Sequence, residues 1–118
     1  MNRKTAERFA SEWLDAWNTH DLPRILAHYT DDFEMNSPVI TNVMGIPEGQ
    51  LIGKQAVGAY WAKALELFPN LRFEPICTMT GINSIVIHYV GATGKRAAEV
   101  FSFNAAGLVY RAHAHYEQ

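Results

Sequence analysis

Residues 9–38, FASEWLDAWNTHDLPRILAHYTDDFEMNSP, decide the fold. Around and within this stretch, Ala6, Phe9, Ala10, Trp13, Leu14 and Trp17 recur at the three-and-four spacing of one helical face. Thr5 is placed to cap that helix, which runs to about Asn18. Glu7, Arg8, Glu12 and Asp15 fall mostly off the apolar stripe and belong in water. Asn18-Thr19-His20 breaks the pattern, and Asp21 caps a second helix with Pro23 in its first turn. Ile25, Leu26 and Tyr29 form the buried side of this helix, while Arg24 and His28 face water. Asp31-Asp32 reads as a turn, residues 33–36 as a short strand, and Pro38 as its end.

Downstream, residues 39–53 read as a loop carrying Val39, Ile40, Val43, Met44, Ile46, Leu51 and Ile52 among Gly45, Pro47 and Gly49. A loop this long and this apolar must lie on apolar surface, as a lid over a cavity mouth or as a dimer contact. Residues 54–68 form a third helix, with Val57, Tyr60, Trp61, Ala64, Leu65 and Phe68 on its apolar side. Strands follow near 71–80, 83–92, 96–104 and 107–117, with turns at Gly81, at Gly91 and Gly94, and at Asn104-Ala105-Ala106-Gly107. The expected class is therefore α+β, three N-terminal helices on a strongly curved, mostly antiparallel sheet, in one domain spanning residues 1–118. A curved sheet wrapped on a long helix leaves a hollow between them.

Composition narrows the function classes. Hydrophobic residues make up 48% of the 118 and charged residues 19%, which is globular and not disordered. The formal net charge of −2 argues against a nucleic-acid surface, which needs a basic stripe. Cys77 is the single cysteine, so no intrachain disulfide can form, and a reducing compartment fits. The N-terminal MNRKTAERF lacks an apolar signal region, and no run approaches the ~18 apolar residues of a membrane span. A cytoplasmic protein without membrane contact is expected. There is no Gly-rich phosphate loop, no CxxC and no HExxH.

The run N-x-H-D-L, Y-x-D-D-F, N-S-P, G-K-Q-A-V and F-S-F-N-A-A-G-L-V resembles the nuclear transport factor 2-like superfamily. Within it, the chain is most similar to the SnoaL-like polyketide cyclases and the ketosteroid isomerases. The resemblance implies a cone-shaped α+β barrel, a pocket at its open end, and dimerisation through the outer face of the sheet. Carried over residue by residue, the isomerases' helix-1 tyrosine falls on Trp13, and their general-base aspartate, before a proline, falls on Ser37. Their second oxyanion donor, five residues before the asparagine of the last hairpin, falls on Glu99. The pocket tyrosine of their third helix falls on Trp61. The tyrosine and the base are thus both absent, which argues against steroid isomerisation by that route. The aspartate that cyclases and epoxide hydrolases place on the last strand falls on Ala114, so those chemistries lack their acid as well.

Glu99 is the most informative residue. In RAAEVFSFN it shares strand parity with Ala97, Phe101 and Phe103, and the large phenylalanines should point inward. A buried carboxyl gains a partner or holds its proton near neutral pH, and a carboxyl of raised pKa is a competent general acid or base. The alternatives are a pocket role, or a structural bond to the Trp13 or Trp61 indole or to a histidine. Trp13, Trp17, Tyr29, Phe33, Trp61, Phe101 and Tyr116 form an aromatic set that is either plain core or the wall of an apolar pocket. Several carry polar handles, and the last strand offers only Ala112 and Ala114 opposite them, so volume is missing. Ser37 either binds a ligand or caps the turn before Pro38.

His20 and His28 read as solvated. His113 and His115 share the outer face of the last strand if Tyr116 faces the pocket, and His88 lies on the outer face with Val86 and Val90; with the opposite parity, His88 or His113 would partner Glu99. Two histidines on one strand are too few for zinc, so no metal is expected. Cys77 reads as an inert, small hydrophobe.

Two readings of function remain open. One is a small-molecule enzyme using acid–base chemistry (isomerase, cyclase or dehydratase type) on a hydrophobic, ring-containing substrate without a cofactor. Glu99 would then be catalytic, and Trp13, Trp17, Tyr29, Phe33, Ser37, Trp61, Phe101, Ala114 and Tyr116 would bind substrate. The other is a non-catalytic ligand-binding or dimerisation domain. A homodimer through Val86, His88, Val90 and Val100 is expected in either case.

Overall fold

The N-terminal helix begins two residues before the threonine expected to cap it. In the structure, a computed structural model describing residues 1–118, helix α1 spans Arg3–Asn18, and the Asn2 side chain accepts a hydrogen bond from the Thr5 amide at 2.9 Å. Asparagine outranks threonine as a cap, and Thr5 sits inside the first turn. Ala6, Ala10, Trp13, Ala16 and Trp17 are its buried face. Helix α2, Leu22–Leu26, is capped by the Asp21 carboxylate, which accepts from the Arg24 amide at 3.2 Å, with Pro23 in the first turn.

Neither His20 nor His28 is free in solvent as expected. His20 turns the chain between α1 and α2 at a φ of 57°, and its Nε2 donates to the Leu71 carbonyl at 2.9 Å. His28 is half-buried, edge-on to Phe9 with ring centroids 5.2 Å apart. Burial lowers its pKa, and the nearby Glu12 only partly opposes this. Arg24 does reach the surface, where it holds Glu12 and Asp15, each at 2.8 Å.

Strand β1 runs Tyr29–Asn36, so Asp31 and Asp32 lie within a strand and do not form a turn. The physical reason is a bulge. Tyr29 pairs with Val109 and Glu34 with Arg111, so five steps on one strand match two on the other. The surplus residues loop outward and expose both aspartates while Tyr29 and Phe33 stay buried.

The expected loop 39–53 is also corrected. Pro38 does not merely end the strand; it opens helix α3, Pro38–Met44, and the Ser37 hydroxyl caps it by accepting from the Val39 amide at 3.1 Å. Gly45 ends α3 in the left-handed conformation at φ 69°. Strand β2, Gln50–Ile52, follows and pairs antiparallel with β1. Gly49 is required between them: its φ is +64°, and a Cβ there would sit 2.9 Å from the Ser37 carbonyl. There are thus four helices, where three were expected.

Helix α4, Lys54–Leu67, buries Val57, Tyr60, Trp61 and Ala64. Strands β3 (Glu74–Gly81), β4 (Ser84–Val90), β5 (Arg96–Phe103) and β6 (Val109–Tyr116) complete a curved sheet of order β2-β1-β6-β5-β4-β3. Only the β1–β6 pair is parallel. Alternation places Ile85, Ile87, Tyr89, Ala97, Glu99, Phe101 and Ala112 on the inner face, against α1 and α4. Val86, His88, Val90, Ala98, Val100, His113 and His115 take the other face. No helix is long and apolar enough to cross a membrane.

Candidate active site

Along β5 each second residue turns inward, and Glu99 arrives there between Ala97 and Phe101, paired across the sheet with Ile87 and Ala114. It is 4% exposed, and its Oε1 accepts a hydrogen bond from the Tyr89 hydroxyl at 3.1 Å. Tyr89 is therefore its partner, in place of either indole or a histidine. Burial drives the Glu99 pKa from an ordinary 4.5 up to about 7, and the Tyr89 bond only partly offsets this. At neutral pH the carboxyl is poised between its two forms, which suits a group that gives or takes a proton.

Phenols surround it. Burial and the charge of Glu99 hold Tyr89 and Tyr29 well above the usual tyrosine value, and Tyr29 also accepts a bond from the Trp13 indole at 3.0 Å. Tyr116 is pushed up to about 12 by burial and then by Glu99, with Ser37 and Tyr89 acting as hydrogen-bonding neighbours in the other direction. Tyr60 is raised chiefly by burial and lowered by Ser37. All four phenols stay neutral at physiological pH and can donate.

Glu99 faces a cavity of about 280 Å³ between α1, α3, α4 and the β4–β5 hairpin. Trp13 and Trp17 from α1, Tyr60 and Trp61 from α4, and Phe73 and Tyr89 make its aromatic wall. Val39 and Asn42 bring α3 to its edge, and Lys95 and Glu117 stand where it opens. Trp17 and Trp61 meet edge to face at 5.3 Å, and the Trp17 indole N–H has no hydrogen-bond partner.

Of the side chains singled out in the sequence, Trp13, Trp17, Trp61, Glu99 and Tyr116 line this cavity. The others do not. Tyr29 and Phe33 pack on each other at 4.3 Å and on Trp61 from behind. Phe101 is enclosed by Phe9 at 5.0 Å and Trp13 at 5.2 Å. Ser37 caps α3 and stands behind the Tyr60 and Tyr116 hydroxyls, and Ala114 is buried beside Glu99; neither reaches the hollow. Their wall positions are taken by Tyr60, Tyr89, Phe73, Met35 and Asn42. Tyr89 was within reach of the parity argument used for Glu99: with His88 and Val90 outward, the residue between them faces inward.

His88, His113 and His115 lie on the outer face, so none reaches Glu99 as a base. No group of three or more His, Cys, Asp or Glu side chains is placed to hold a metal ion. Cys77 is exposed on β3 and not packed as a small hydrophobe, with its Sγ 3.9 Å from Nδ1 of His88.

The same architecture recurs in known structures. A SnoaL-like protein of unknown function from Burkholderia thailandensis E264 is 50% identical, matches 99% of this chain and 98% of its own, and superposes with a TM-score of 0.96. A protein named as a proposed isomerase of the SnoaL-like family, from Agrobacterium tumefaciens str. C58, shares 18% identity over 98% of this chain and 100% of its own, with a TM-score of 0.78. A proposed polyketide cyclase from Sinorhizobium meliloti shares 12% over 92% of this chain and 94% of its own, with a TM-score of 0.74. These last two likenesses are of fold alone. No curated protein matches. The sequence profile of the SnoaL-like domain covers residues 10–117, nearly the whole of the helix-and-sheet framework that shapes this cavity, and the chain belongs to the SnoaL-like family.

Proposed function

We propose that the protein is a small-molecule enzyme acting by acid–base chemistry on a hydrophobic, ring-containing substrate, of the isomerase, cyclase or dehydratase type. The observation that carries this reading is the buried Glu99 carboxyl, with a pKa of about 7, at an aromatic cavity. Glu99 gives or takes the proton. Tyr89 orients the carboxyl by donating its hydroxyl proton to it, and the other phenols at the cavity, Tyr60 and Tyr116, supply neutral donors for an oxygen that gains negative charge. The tryptophans orient the ring.

A second reading, a ligand-binding domain without turnover, is favoured by one specific feature. Ser37 and Ala114 provide neither a base nor an acid, and the other carboxylate at the cavity, Glu117, is paired with Arg96. The two readings separate in one experiment. A panel of ring-bearing β,γ-unsaturated ketones, β-hydroxy ketones and cyclisable aryl polyketones is incubated with wild type and Glu99→Gln. The enzyme reading expects turnover of at least one compound, a pH profile that breaks near 7, and a loss of at least about 100-fold in kcat for Glu99→Gln with little change in Kd. Binding by both proteins with turnover by neither selects the second reading.

We also propose a homodimer through the outer face of the sheet. Val86, Val90 and Val100 form an apolar strip there, continued by the exposed Met79 on β3. Sedimentation equilibrium at micromolar concentration should give about twice the chain mass of 13.3 kDa; a species of the single-chain mass would reject the dimer. A reducing, cytoplasmic setting fits the exposed single thiol.

A further inference from the structure

The charges at the cavity mouth do not cancel. Glu117 is committed to Arg96: it accepts from the Arg96 backbone amide at 2.6 Å and from the guanidinium at 3.0 Å. These contacts, with a smaller contribution from Lys95, lower its pKa. Lys95 stands in the β4–β5 hairpin, lines the same opening, and forms no ion pair of its own. Of the two charged side chains that line the mouth, Glu117 is thus paired and Lys95 is left without an ion-pair partner. The inner end is the opposite. Its one carboxyl is Glu99, so an anion placed there would meet a carboxylate as well as losing its water.

Size limits the rest. An apolar cavity of about 150 Å³ takes a benzene ring. At about 280 Å³, this one has room for roughly two fused rings. Lys95 and Glu99 lie four residues apart on nearly continuous strand, about 13 Å between their backbones, so a molecule of that size can reach from one towards the other.

We infer that the cavity takes a bicyclic monoanion, its rings held by Trp13, Trp17 and Trp61 and its carboxylate turned outward to Lys95. This specifies the substrate class and rests on the proposed ring-binding role of the cavity. It also sets the orientation: the carbon skeleton, and not the acid group, meets Glu99 and Tyr89.

The test uses 2-naphthoate and its neutral amide, 2-naphthamide, by titration calorimetry against wild type, Lys95→Gln and Lys95→Glu. Lys95 is exposed in a turn, so these variants should fold. Wild type is expected to bind naphthoate about 3- to 10-fold more tightly than naphthamide, as for a partly exposed ion pair. That ratio should fall to about one in Lys95→Gln, invert in Lys95→Glu, and shrink as salt is raised. The amide should bind all three proteins alike. A wild-type ratio near one, or a preference for naphthoate that survives in Lys95→Gln, overturns the inference and leaves ring binding standing. Failure of wild type to bind either compound overturns the ring-binding reading itself.

Discussion

The Glu99→Gln protein should be more stable than wild type by roughly 3 kcal/mol at pH 8 and no more stable at pH 4. In the unfolded chain this carboxyl titrates near 4.5; in the folded protein it titrates at about 7. Below the lower value the group is protonated in both states and does not affect the balance. Between the two values the unfolded chain has released a proton that the folded protein keeps, so stability falls as pH rises. Above the upper value both states are ionised, and the penalty is constant. The gap amounts to roughly 3 kcal/mol at about 1.4 kcal/mol per pH unit.

Glutamine abolishes the titration while its side-chain carbonyl can still accept from Tyr89, so the wild-type decline should be missing from the variant. The raised tyrosines stay protonated throughout this window and add no slope. His28 does titrate nearby, but burial lowers its pKa, so its effect has the opposite sign and is common to both proteins. Urea unfolding between pH 4 and 8.5 measures the difference. Parallel stability curves for the two proteins would mean that Glu99 is not held in an apolar setting.

Trp13→Ala should cost about 3–5 kcal/mol, a large part of what holds a domain of this size together. Trp13 is 1% exposed and touches Trp17, Phe73, Tyr89 and Phe101 at centroid distances of 5.2–6.2 Å. Removing it opens a void at the junction of α1 and the sheet that rigid rings cannot collapse to fill. Trp13→Phe should cost less, about 1–3 kcal/mol, mainly by taking the indole donor from the buried Tyr29 hydroxyl. The order matters more than either value. Thermal unfolding should place wild type first, then Phe, then Ala, with Ala more than about 10 °C below wild type. As a control, Ile82→Ser, at a residue 90% exposed, should change stability by less than about 0.5 kcal/mol. A loss under about 1 kcal/mol for Trp13→Ala would contradict the packing described.

The long elements were legible in the chain because each repeats its signal several times. The α1 stripe, the apolar side of α4 and the alternation along β4 and β5 are periodic patterns. Once parity is settled by large residues such as Phe101 and Phe103, Glu99 must turn inward. The short elements were not legible. Helix α3 has seven residues, too few to establish a period, and Ser37-Pro38 signals both the end of a strand and the start of a helix. Asp31-Asp32 has turn chemistry that the β1 bulge uses without reversing the chain.

Sequence periodicity alone thus determined that an acid lies among aromatic rings under a sheet. Which rings face the hollow was decided by packing. Tyr29, Phe33 and Phe101 have the same spacing and chemistry as the residues of the wall, yet neighbouring rings enclose them. Tyr60 from α4 and Tyr89 from β4 take their place as walls of the same cavity. Periodicity specifies the side of an element on which a residue lies; the distance to the next element, which separates a filled core from an open cavity, depends on residues remote in sequence and exists only after they have packed.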